Sequence, residues 1–380
     1  MSYADVVGHH SMVFDEVRNS AYLQAMADVV SKDTVVMDLG AGLGVHGLNA
    51  AKLGAKAVHL VEPAPILEAA KRAARDSGLN NIYFHECRAE LLELDAQVDV
   101  IVSVFTGNFL LTEDLLPSLF RARDRFLAPG GKLIPDRAIM EVAPVTAQAY
   151  YDENINRWRD SGQYFKKYGA PALNFGAIRE YAANYIYYDR RETFAADLLA
   201  PPHTLMELDM MTATNAGCDS SIEMTVQKSG LCHGWLGWFQ MRLGEKWLTT
   251  AGEREKTHWT PVFLPLEAPV ELDSGESMQF SLKRPEQGEW TWTTVTEGLR
   301  QRQSTFLSQP IALNRLHKAS DAYEPTLSRR GEASRWLLQH MNGKHSVLQL
   351  AEQVREQFPD VLYDHADAIA FTKSLADQNS

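Results

Sequence analysis

Residues 35–44 read VVMDLGAGLG, and this stretch decides the fold of the first part of the chain. An apolar run typical of a buried strand leads into three alternate glycines, and an apolar pattern with helical spacing follows from Val45 to Leu53. Glycine tolerates positive φ and lets the backbone come close to a ligand. The stretch therefore predicts a strand, a sharp turn and a helix, arranged as the floor of a nucleotide pocket.

An acidic residue closes the next apolar strand. Glu62 follows residues 57–61 and lies 18 positions after Gly44, where a carboxylate can accept hydrogen bonds from both ribose hydroxyls. The pattern D-x-G-x-G-x-G at residues 38–44 is more typical of S-adenosylmethionine sites than of dinucleotide sites. An ordinary strand–turn–helix corner is the alternative. We predict S-adenosylmethionine as the cofactor, held by Asp38, Gly40, Gly42 and Glu62.

Strand-like and helix-like segments alternate from Ser31 to Arg137. Such alternation implies a parallel sheet with helices on both faces, and ligands bind outside the carboxyl ends of its strands. We therefore expect an α/β fold whose first domain, residues 1–137, is Rossmann-like and begins with an amphipathic helix. The strand-like segments are 35–39, 57–62, 82–85, 98–103 and 132–134, the last after a break at Ala-Pro-Gly-Gly, residues 128–131.

The pattern changes after Pro135. Residues 204–300 contain alternating strands such as 221–226 and 234–243, and a segment with helical spacing precedes them. This predicts an antiparallel, β-barrel-like domain over residues 138–305 with a helical insertion. Residues 310–380 return to helical spacing, which predicts a small helical or winged-helix-like module.

The composition indicates a globular protein and limits its partners. The chain has 380 residues, 45% of them apolar and 23% charged, and a net charge of −12. This acidity argues against a nucleic-acid-binding surface, and no apolar run is long enough to span a membrane. The three cysteines, Cys87, Cys218 and Cys232, lack metal-ligand spacing and are odd in number. We therefore expect no metal site and a reducing, cytoplasmic location.

Four motifs resemble those of the protein arginine methyltransferases, in the same order, over residues 3–300. The resemblance implies a methyltransferase with a Rossmann-like domain, a β-barrel domain and a dimerisation arm, here at about 148–170, so we expect a symmetric homodimer. The motifs are MVFDEVR at 12–18, MDLGAGLG at 37–44, LAPGG with IPDR between 127 and 137, and KTHWT at 256–260.

The resemblance also implies roles for single residues of the cofactor site. Arg18 would bind the carboxylate of the cofactor's methionine part, because that carboxylate is the one anionic group the ligand carries. A surface arginine is the alternative. Met12 would border the methyl group, and Ala89 and Glu90 would lie at the adenine edge. Three histidines of the first domain, His9, His10 and His46, have no partner that the sequence can name, and we expect them to be structural.

One motif departs from the family. The family holds a guanidinium between two glutamates of the loop that follows Ser103, and here that loop reads VFTGNFLLTE, residues 104–113. Glu113 matches the second glutamate, but Val104 stands where the first should be. A guanidinium is planar, permanently charged and multidentate, and burying it with one carboxylate missing costs on the order of several kcal/mol.

Two interpretations of this loop remain open. Either the nucleophile is another group, such as an imidazole, amide, amine or hydroxyl, or Asp114 or Glu16 supplies the second carboxylate. Glu113 would orient the nucleophile or accept its proton, unless it only caps the following helix. We expect Asp15 and His258 to form a hydrogen-bonded pair that serves the same purpose, the alternative being a structural His258. The expected substrate-binding residues are Val104, Asn108, Trp259 and Tyr3.

The C-terminal segment has a resemblance of its own. Residues 334–354 are similar to the PqqD-type domains that recognise leader peptides of ribosomally made natural products; a helical cap that stabilises a dimer is the alternative. A leader would add to an exposed strand edge, and tethering would raise the local substrate concentration. We therefore expect an N-methyltransferase that acts on a peptide or a small amino-acid-derived metabolite. The alternatives are a true arginine methyltransferase and a cofactor-binding scaffold without activity.

Overall fold

The computed structural model of the protein describes residues 5–188, 197–251 and 257–379. The chain forms two compact units, residues 1–310 and residues 311–380. The first unit contains a parallel sheet and two antiparallel sheets, and the second consists of helices.

The first unit begins with two helices rather than one. α1 (Val6–Val13) and α2 (Glu16–Ala27) are separated at Phe14 and Asp15. The break follows from capping, because Asp15 has an extended backbone and its side chain accepts the N–H of Arg18 at 2.9 Å, which starts a new helix. The single amphipathic segment expected from the sequence is therefore a pair of helices.

A five-stranded parallel sheet follows, in the order β3-β2-β1-β4-β5. The order reverses between β1 and β4, which is where open α/β sheets bind ligands. Leu39, at the end of β1, is paired with Val61 on one side and Ser103 on the other, so three strand ends meet at this crevice. The elements are β1 Val35–Leu39, α3 Val45–Lys52, β2 Ala57–Val61, α4 Leu67–Asp76, β3 Ile82–His85, β4 Val98–Ser103, α5 Leu116–Phe126 and β5 Leu127–Ile134.

The last strand of this sheet begins earlier than the sequence predicts. β5 starts at Leu127, before the Ala-Pro-Gly-Gly segment that we expected to break the chain. In its pairing with β4, Leu127 lies opposite Val98 and Lys132 lies opposite Val100, so the register shifts between these two positions. The irregularity takes up the extra residues, so the segment interrupts the pairing without ending the strand.

Antiparallel sheets form the second part of this unit, as predicted. Among the described residues, one sheet has the order β10-β14-β15-β16, and a seven-stranded sheet contains β7-β13-β11-β6-β8 with β9 and β12 at its sides. β6 pairs with β11 from Val145 with Gly234 to Arg137 with Arg242. The strands are β6 Arg137–Thr146, β7 Tyr187–Tyr188, β8 Asp197–Leu198, β9 His203–Asp209, β10 Cys218–Thr225, β11 Gly230–Leu243, β12 Lys246–Thr249, β13 Val262–Leu272, β14 Ser277–Arg284, β15 Thr291–Thr296 and β16 Leu299–Ser304.

A helical insertion follows β6, where we expected the dimerisation arm. Several of its aromatic side chains are exposed, among them Trp158, Tyr164 and Tyr168. Its elements are α6 Gln148–Tyr151, a π-helical turn Asp152–Asn156, α7 Arg157–Arg159, α8 Ser161–Lys166 and α9 Arg179–Ala183.

The second unit is a small helical module with its own core. Its helices are α10 Leu313–Lys318, α11 Arg329–His340, α12 Val347–Gln357 and α13 His365–Asn379. Leu337, Leu350 and Val354 are buried in this core, and a capping box of Ser346 and Gln349 begins α12. All regular elements of the described residues 311–379 are helices, so the strand edge expected for leader-peptide binding is not part of this unit.

Two general expectations concern membranes and disulfides. Searching the described residues finds no helix that is long and apolar enough to cross a bilayer. The thiols of Cys87, Cys218 and Cys232 are unpaired.

Candidate active site

The glycine loop lies at the crevice formed by the strand ends. Gly40 and Gly42 have φ values of 71° and 53°, which disfavour residues with a Cβ. A Cβ at Gly40 would lie 2.1 Å from Cε1 of Phe105, and one at Gly42 would lie 2.7 Å from Cε1 of His9. The loop therefore needs glycine for both conformation and space. Sequence reasoning assigned neither Phe105 nor His9 to this site, because no local pattern reports a contact between distant segments.

Asp38 and Glu62 hold the loop in this conformation. Asp38 Oδ2 accepts the N–H of Gly47 at 2.7 Å, and burial raises the pKa of Asp38 to about 7. Glu62 Oε2 accepts the N–H of Gly42 at 3.0 Å, and its Oε1 accepts that of Ala64 at 2.9 Å. Asp38 thus binds the first turn of α3 and Glu62 binds the glycine loop, so a ribose bound to Glu62 would share that carboxylate with the loop.

Arg18 is a buried cation at the same crevice. Its side chain is only 4% exposed, donates to Oδ1 of Asn19 and to the carbonyl of Met12, and lies 5.9 Å from the ring centre of Trp259. In the described part of the chain, no carboxylate lies within ion-pair distance of it. A buried charge without a counter-ion is costly, so the carboxylate of a bound methionine derivative fits this position.

The expected adenine-edge residues lie on a short helical turn after β3, Ala89–Leu91. Ala89 is buried. Glu90 accepts the hydroxyl of Ser118 on α5 at 2.6 Å and lies 3.7 Å from Arg121. The bond from Ser118 lowers the pKa of Glu90. Its carboxylate is thus bound to α5, and contact with adenine remains a prediction for both residues.

Asp15 and His258 are hydrogen-bonded to each other. Asp15 Oδ2 accepts the backbone N–H of His258 at 2.7 Å and lies 2.9 Å from its Nδ1. Burial would raise the pKa of Asp15, but the bonds from His258 and from the N–H of Arg18 outweigh it and lower that pKa. Burial also lowers the pKa of His258, against the opposing effect of Asp15. A neutral imidazole that donates from Nδ1 to a carboxylate leaves Nε2 as an acceptor.

The loop after β4 is hydrogen-bonded to the loop that carries His258. Trp259 donates its indole N–H to the carbonyl of Thr106 at 2.8 Å, and Thr260 donates its backbone N–H to Oδ1 of Asn108 at 2.9 Å. The hydroxyls of Thr106 and Thr260 are buried and have no hydrogen-bond partner among the residues that the structure describes. These hydrogen bonds therefore hold the two loops against each other.

Glu113 is exposed at the end of this loop, and a Cβ on Gly107 would lie 2.7 Å from its Cγ. Val104 is half-buried and packs against the core. Asp114, with a φ of 57°, accepts from Nη2 of the buried Arg284 and from the N–H of Gln287 at 3.2 Å.

One of the two alternative sources of a second carboxylate is therefore engaged elsewhere. Asp114 binds the barrel domain, and Glu16 is exposed in the first turn of α2. Tyr3 and Lys256 lie outside the described residues. Within the ranges that the structure describes, no three His, Cys, Asp or Glu side chains are grouped to hold a metal ion.

Comparison with known proteins matches both domains of the first unit. Residues 36–131 match a family described as a methyltransferase domain, and residues 136–291 match the arginine methyltransferase oligomerization subdomain. Protein arginine N-methyltransferase 2 of Dictyostelium discoideum is 30% identical over 63% of this chain and 47% of its own. Protein arginine N-methyltransferase 6 of Xenopus laevis is 29% identical over 71% of this chain and 81% of its own. The chain thus spans about half the length of the first of these relatives.

Solved structures share the same fold. The PRMT1 enzyme–prozyme complex of Trypanosoma brucei with AdoHcy has a TM-score of 0.71 and 25% identity, and the match covers 80% of this chain and 99% of that one. Protein arginine methyltransferase 10 of Arabidopsis thaliana has a TM-score of 0.67 and 22% identity, over 80% of this chain and 99% of its own. Together with the glycine loop, Glu62 and Arg18, these matches show a methyltransferase-type domain over residues 36–131, followed by a domain like that of the arginine methyltransferases.

Proposed function

We propose that the chain methylates a nitrogen of a peptide or of a small amino-acid-derived metabolite, in an acceptor site altered from that of its arginine-methylating relatives. One observation carries the proposal: Glu113 ends the acceptor loop while Val104 begins it. The other acidic residues proposed for this place are Asp114, which is bonded to Arg284, and Glu16, which is exposed in the first turn of α2.

The charge of the substrate decides whether an acceptor loop with Val104 in place of a glutamate can bind it. A guanidinium is permanently charged, and its N–H groups match a pair of carboxylates. With one carboxylate replaced by an apolar side chain, the cation is left undercompensated, at a cost on the order of several kcal/mol.

The cofactor supplies a methyl group that is already activated as a sulfonium, so the protein's task is placement. Arg18 would hold the methionine end of the cofactor and Glu62 its ribose, and the glycine loop lets the backbone approach it. Glu113 would orient the acceptor nitrogen or take its proton. His258, held by Asp15, would present Nε2 toward the same space as a second acceptor of a proton.

A second candidate function is methylation of arginine itself. It is favoured by the names of the relatives, which are protein arginine N-methyltransferases, and by the match of Glu113 to one glutamate of the family's pair. A third candidate is a cofactor-binding scaffold without activity; the similar Trypanosoma complex contains a prozyme beside its enzyme.

A homodimer that works in the cytoplasm is part of the proposal. The matched subdomain is described by its role in oligomerization, and the helical insertion exposes Trp158, Tyr164 and Tyr168, which would pack on a second copy. Three unpaired cysteines suit a reducing compartment. Recognition of a leader peptide by residues 310–380 is likewise proposed, through a helical surface rather than a strand edge.

One experiment separates the three functions. The full chain is incubated with S-adenosylmethionine carrying a labelled methyl group and with matched peptides that differ only in a central arginine, histidine, asparagine or lysine. We expect label on a residue other than arginine. Transfer to arginine at the highest rate would overturn the altered acceptor, and calorimetric binding of S-adenosylhomocysteine without transfer to any peptide would favour the scaffold.

A further inference from the structure

Asn19, the residue after Arg18 on α2, holds one edge of the arginine side chain. Nε and Nη2 of Arg18 both donate to Oδ1 of Asn19, at 3.0 and 2.9 Å. The amide nitrogen of Asn19 donates in turn to the carbonyls of Met12, at 3.2 Å, and of Val13, at 2.8 Å. The donors on one side and the acceptors on the other fix which atom of the amide is the oxygen.

The same amide connects two helices. Met12 and Val13 are the last two residues of α1, where helix carbonyls lack partners within the helix. Nη2 of Arg18 donates to the carbonyl of Met12 as well. Asn19 therefore ties the end of α1, with the residue expected to border the methyl group, to the cation expected to bind the cofactor.

A neutral amide orients the guanidinium without neutralising it. The edge of an arginine that carries Nε and one terminal nitrogen can bind a carboxylate through two parallel hydrogen bonds, and here the carboxamide oxygen of Asn19 occupies that edge. The remaining nitrogen, Nη1, has no hydrogen-bond partner among the described residues and is not one of the fully buried unpaired atoms, so it keeps accessible surface. Arg18 thus retains its charge and a reachable donor.

We infer that Asn19 is a positioning residue for cofactor binding, which holds Arg18 so that Nη1 can meet the carboxylate of the cofactor's methionine part. The position calls for an amide, because it must accept from the guanidinium and donate to the carbonyls of α1. Aspartate would occupy the same edge, neutralise Arg18 and lose the two donors. The inference rests on S-adenosylmethionine as the cofactor and on Arg18 as its ligand, and it is independent of which acceptor is methylated.

Two ligands isolate this contact in a binding experiment. S-adenosylhomocysteine has the amino-acid end, whereas 5′-methylthioadenosine has the same nucleoside without it. Dissociation constants are measured by isothermal titration calorimetry for the full wild-type chain, Asn19→Asp, Asn19→Leu, Arg18→Met and the double variant Arg18→Met with Asn19→Leu. Ser20→Asp is the control, because it adds the same charge at the next, exposed position of α2. Thermal unfolding of each variant shows that it is folded.

We expect Asn19→Asp to weaken S-adenosylhomocysteine binding about tenfold or more, the value of one charge-assisted hydrogen bond. Asn19→Leu keeps the charge but loses the orientation and should weaken it roughly fivefold. Ser20→Asp should stay within about twofold, since an exposed charge is screened. Binding of 5′-methylthioadenosine should not change in any variant. In the Arg18→Met background, Asn19→Leu should cause no further loss, because no guanidinium is left to position.

Three results would overturn the inference: unchanged binding of S-adenosylhomocysteine by both Asn19 variants, an equal loss for both ligands, or the same loss from Asn19→Leu with and without Arg18. If Asn19→Asp does not fold, Asn19→Leu and the double variant decide the matter. Unchanged binding by Arg18→Met would refute the premise that Arg18 holds the carboxylate. A wild-type chain that binds neither ligand would refute the cofactor itself.

Discussion

Asp15 and His258 are 243 positions apart and are joined twice, through the backbone N–H and through Nδ1 of the histidine. The other oxygen of Asp15 caps α2, the helix that carries Arg18. One carboxylate thus links the helix that carries Arg18 to the loop that carries His258.

Replacing Asp15 by asparagine should separate these two roles. Asparagine also caps helices, so α2 and the affinity for S-adenosylhomocysteine should be preserved. The loss of charge should remove the orientation of His258 and lower kcat by roughly 100-fold. Asp5→Asn is the matched control, because Asp5 caps α1 in the same way through the N–H of Gly8. Equal kinetics for the two variants would contradict a catalytic role of the pair.

Val104→Glu should bring back arginine binding. The new carboxylate would complete the pair with Glu113, so the KM for an arginine peptide should fall about tenfold or more, as one charge-assisted contact implies. Glutamine has nearly the same shape as glutamate but no charge, so Val104→Gln should not lower this KM. The measurement is steady-state transfer to the arginine peptide. Equal effects of both substitutions would show that the loop no longer has a guanidinium-binding geometry.

The ion pair between Asp114 and Arg284 should stabilise the acceptor loop. Asp114→Asn leaves a buried arginine without a counter-ion and should reduce the free energy of unfolding by about 2 to 3 kcal/mol, less than for a fully buried pair because Asp114 is partly exposed. Adding Arg284→Met to Asp114→Asn should restore most of the lost free energy of unfolding, because the buried charge is then removed. Urea denaturation of the single and double variants measures this.

The control for that pair is on the same sheet. Asp219 and Lys283 are paired at 2.9 Å but both are largely exposed, so Asp219→Asn should change stability by less than about 1 kcal/mol. A similar loss for Asp219→Asn and Asp114→Asn would mean that burial of Arg284 is not the cause.

Stability should depend on pH through His46. Its pKa is about 3 in the folded chain and near 6.5 when unfolded, so between these values the unfolded chain binds more protons. The contribution is complete above pH 6.5 and is lost as the pH falls toward 3. From pH 7 to pH 5 this amounts to about 2 kcal/mol. Urea unfolding should show that the loss of stability from pH 7 to pH 5 is smaller by about 2 kcal/mol in His46→Leu than in the wild-type chain. Identical losses in the two chains would argue against a neutral buried ring.

Removing residues 311–380 should affect substrate and not cofactor. These residues form a compact unit of their own, so the shortened chain should bind S-adenosylhomocysteine as before. Transfer to a long peptide should weaken through a higher KM, because the tether is lost, while transfer to a free amino-acid derivative should not change. Equal rates on both substrates would leave the unit a structural cap.

The parallel sheet and the glycine loop were predictable because their signals are local. A strand that ends in alternate glycines, followed by a strand that ends in Glu62, determines the backbone over a few consecutive residues. The extent of β5 was missed for the same reason. Pro129 and the glycines beside it look like a break, whereas pairing with β4 continues across an irregular register.

The sequence by itself determined which chemical groups are available to the proposed site: the glycines, Arg18, Glu62, Glu113 and the apolar side chain of Val104. Only the tertiary structure decided which of these groups are already engaged. Asp114 is bonded to a residue 170 positions away, and His46 is buried against Tyr22 with no hydrogen-bond partner in the described part of the chain. The physical reason is that conformational preferences act between neighbours in the chain, whereas hydrogen bonds and desolvation depend on which distant elements pack together.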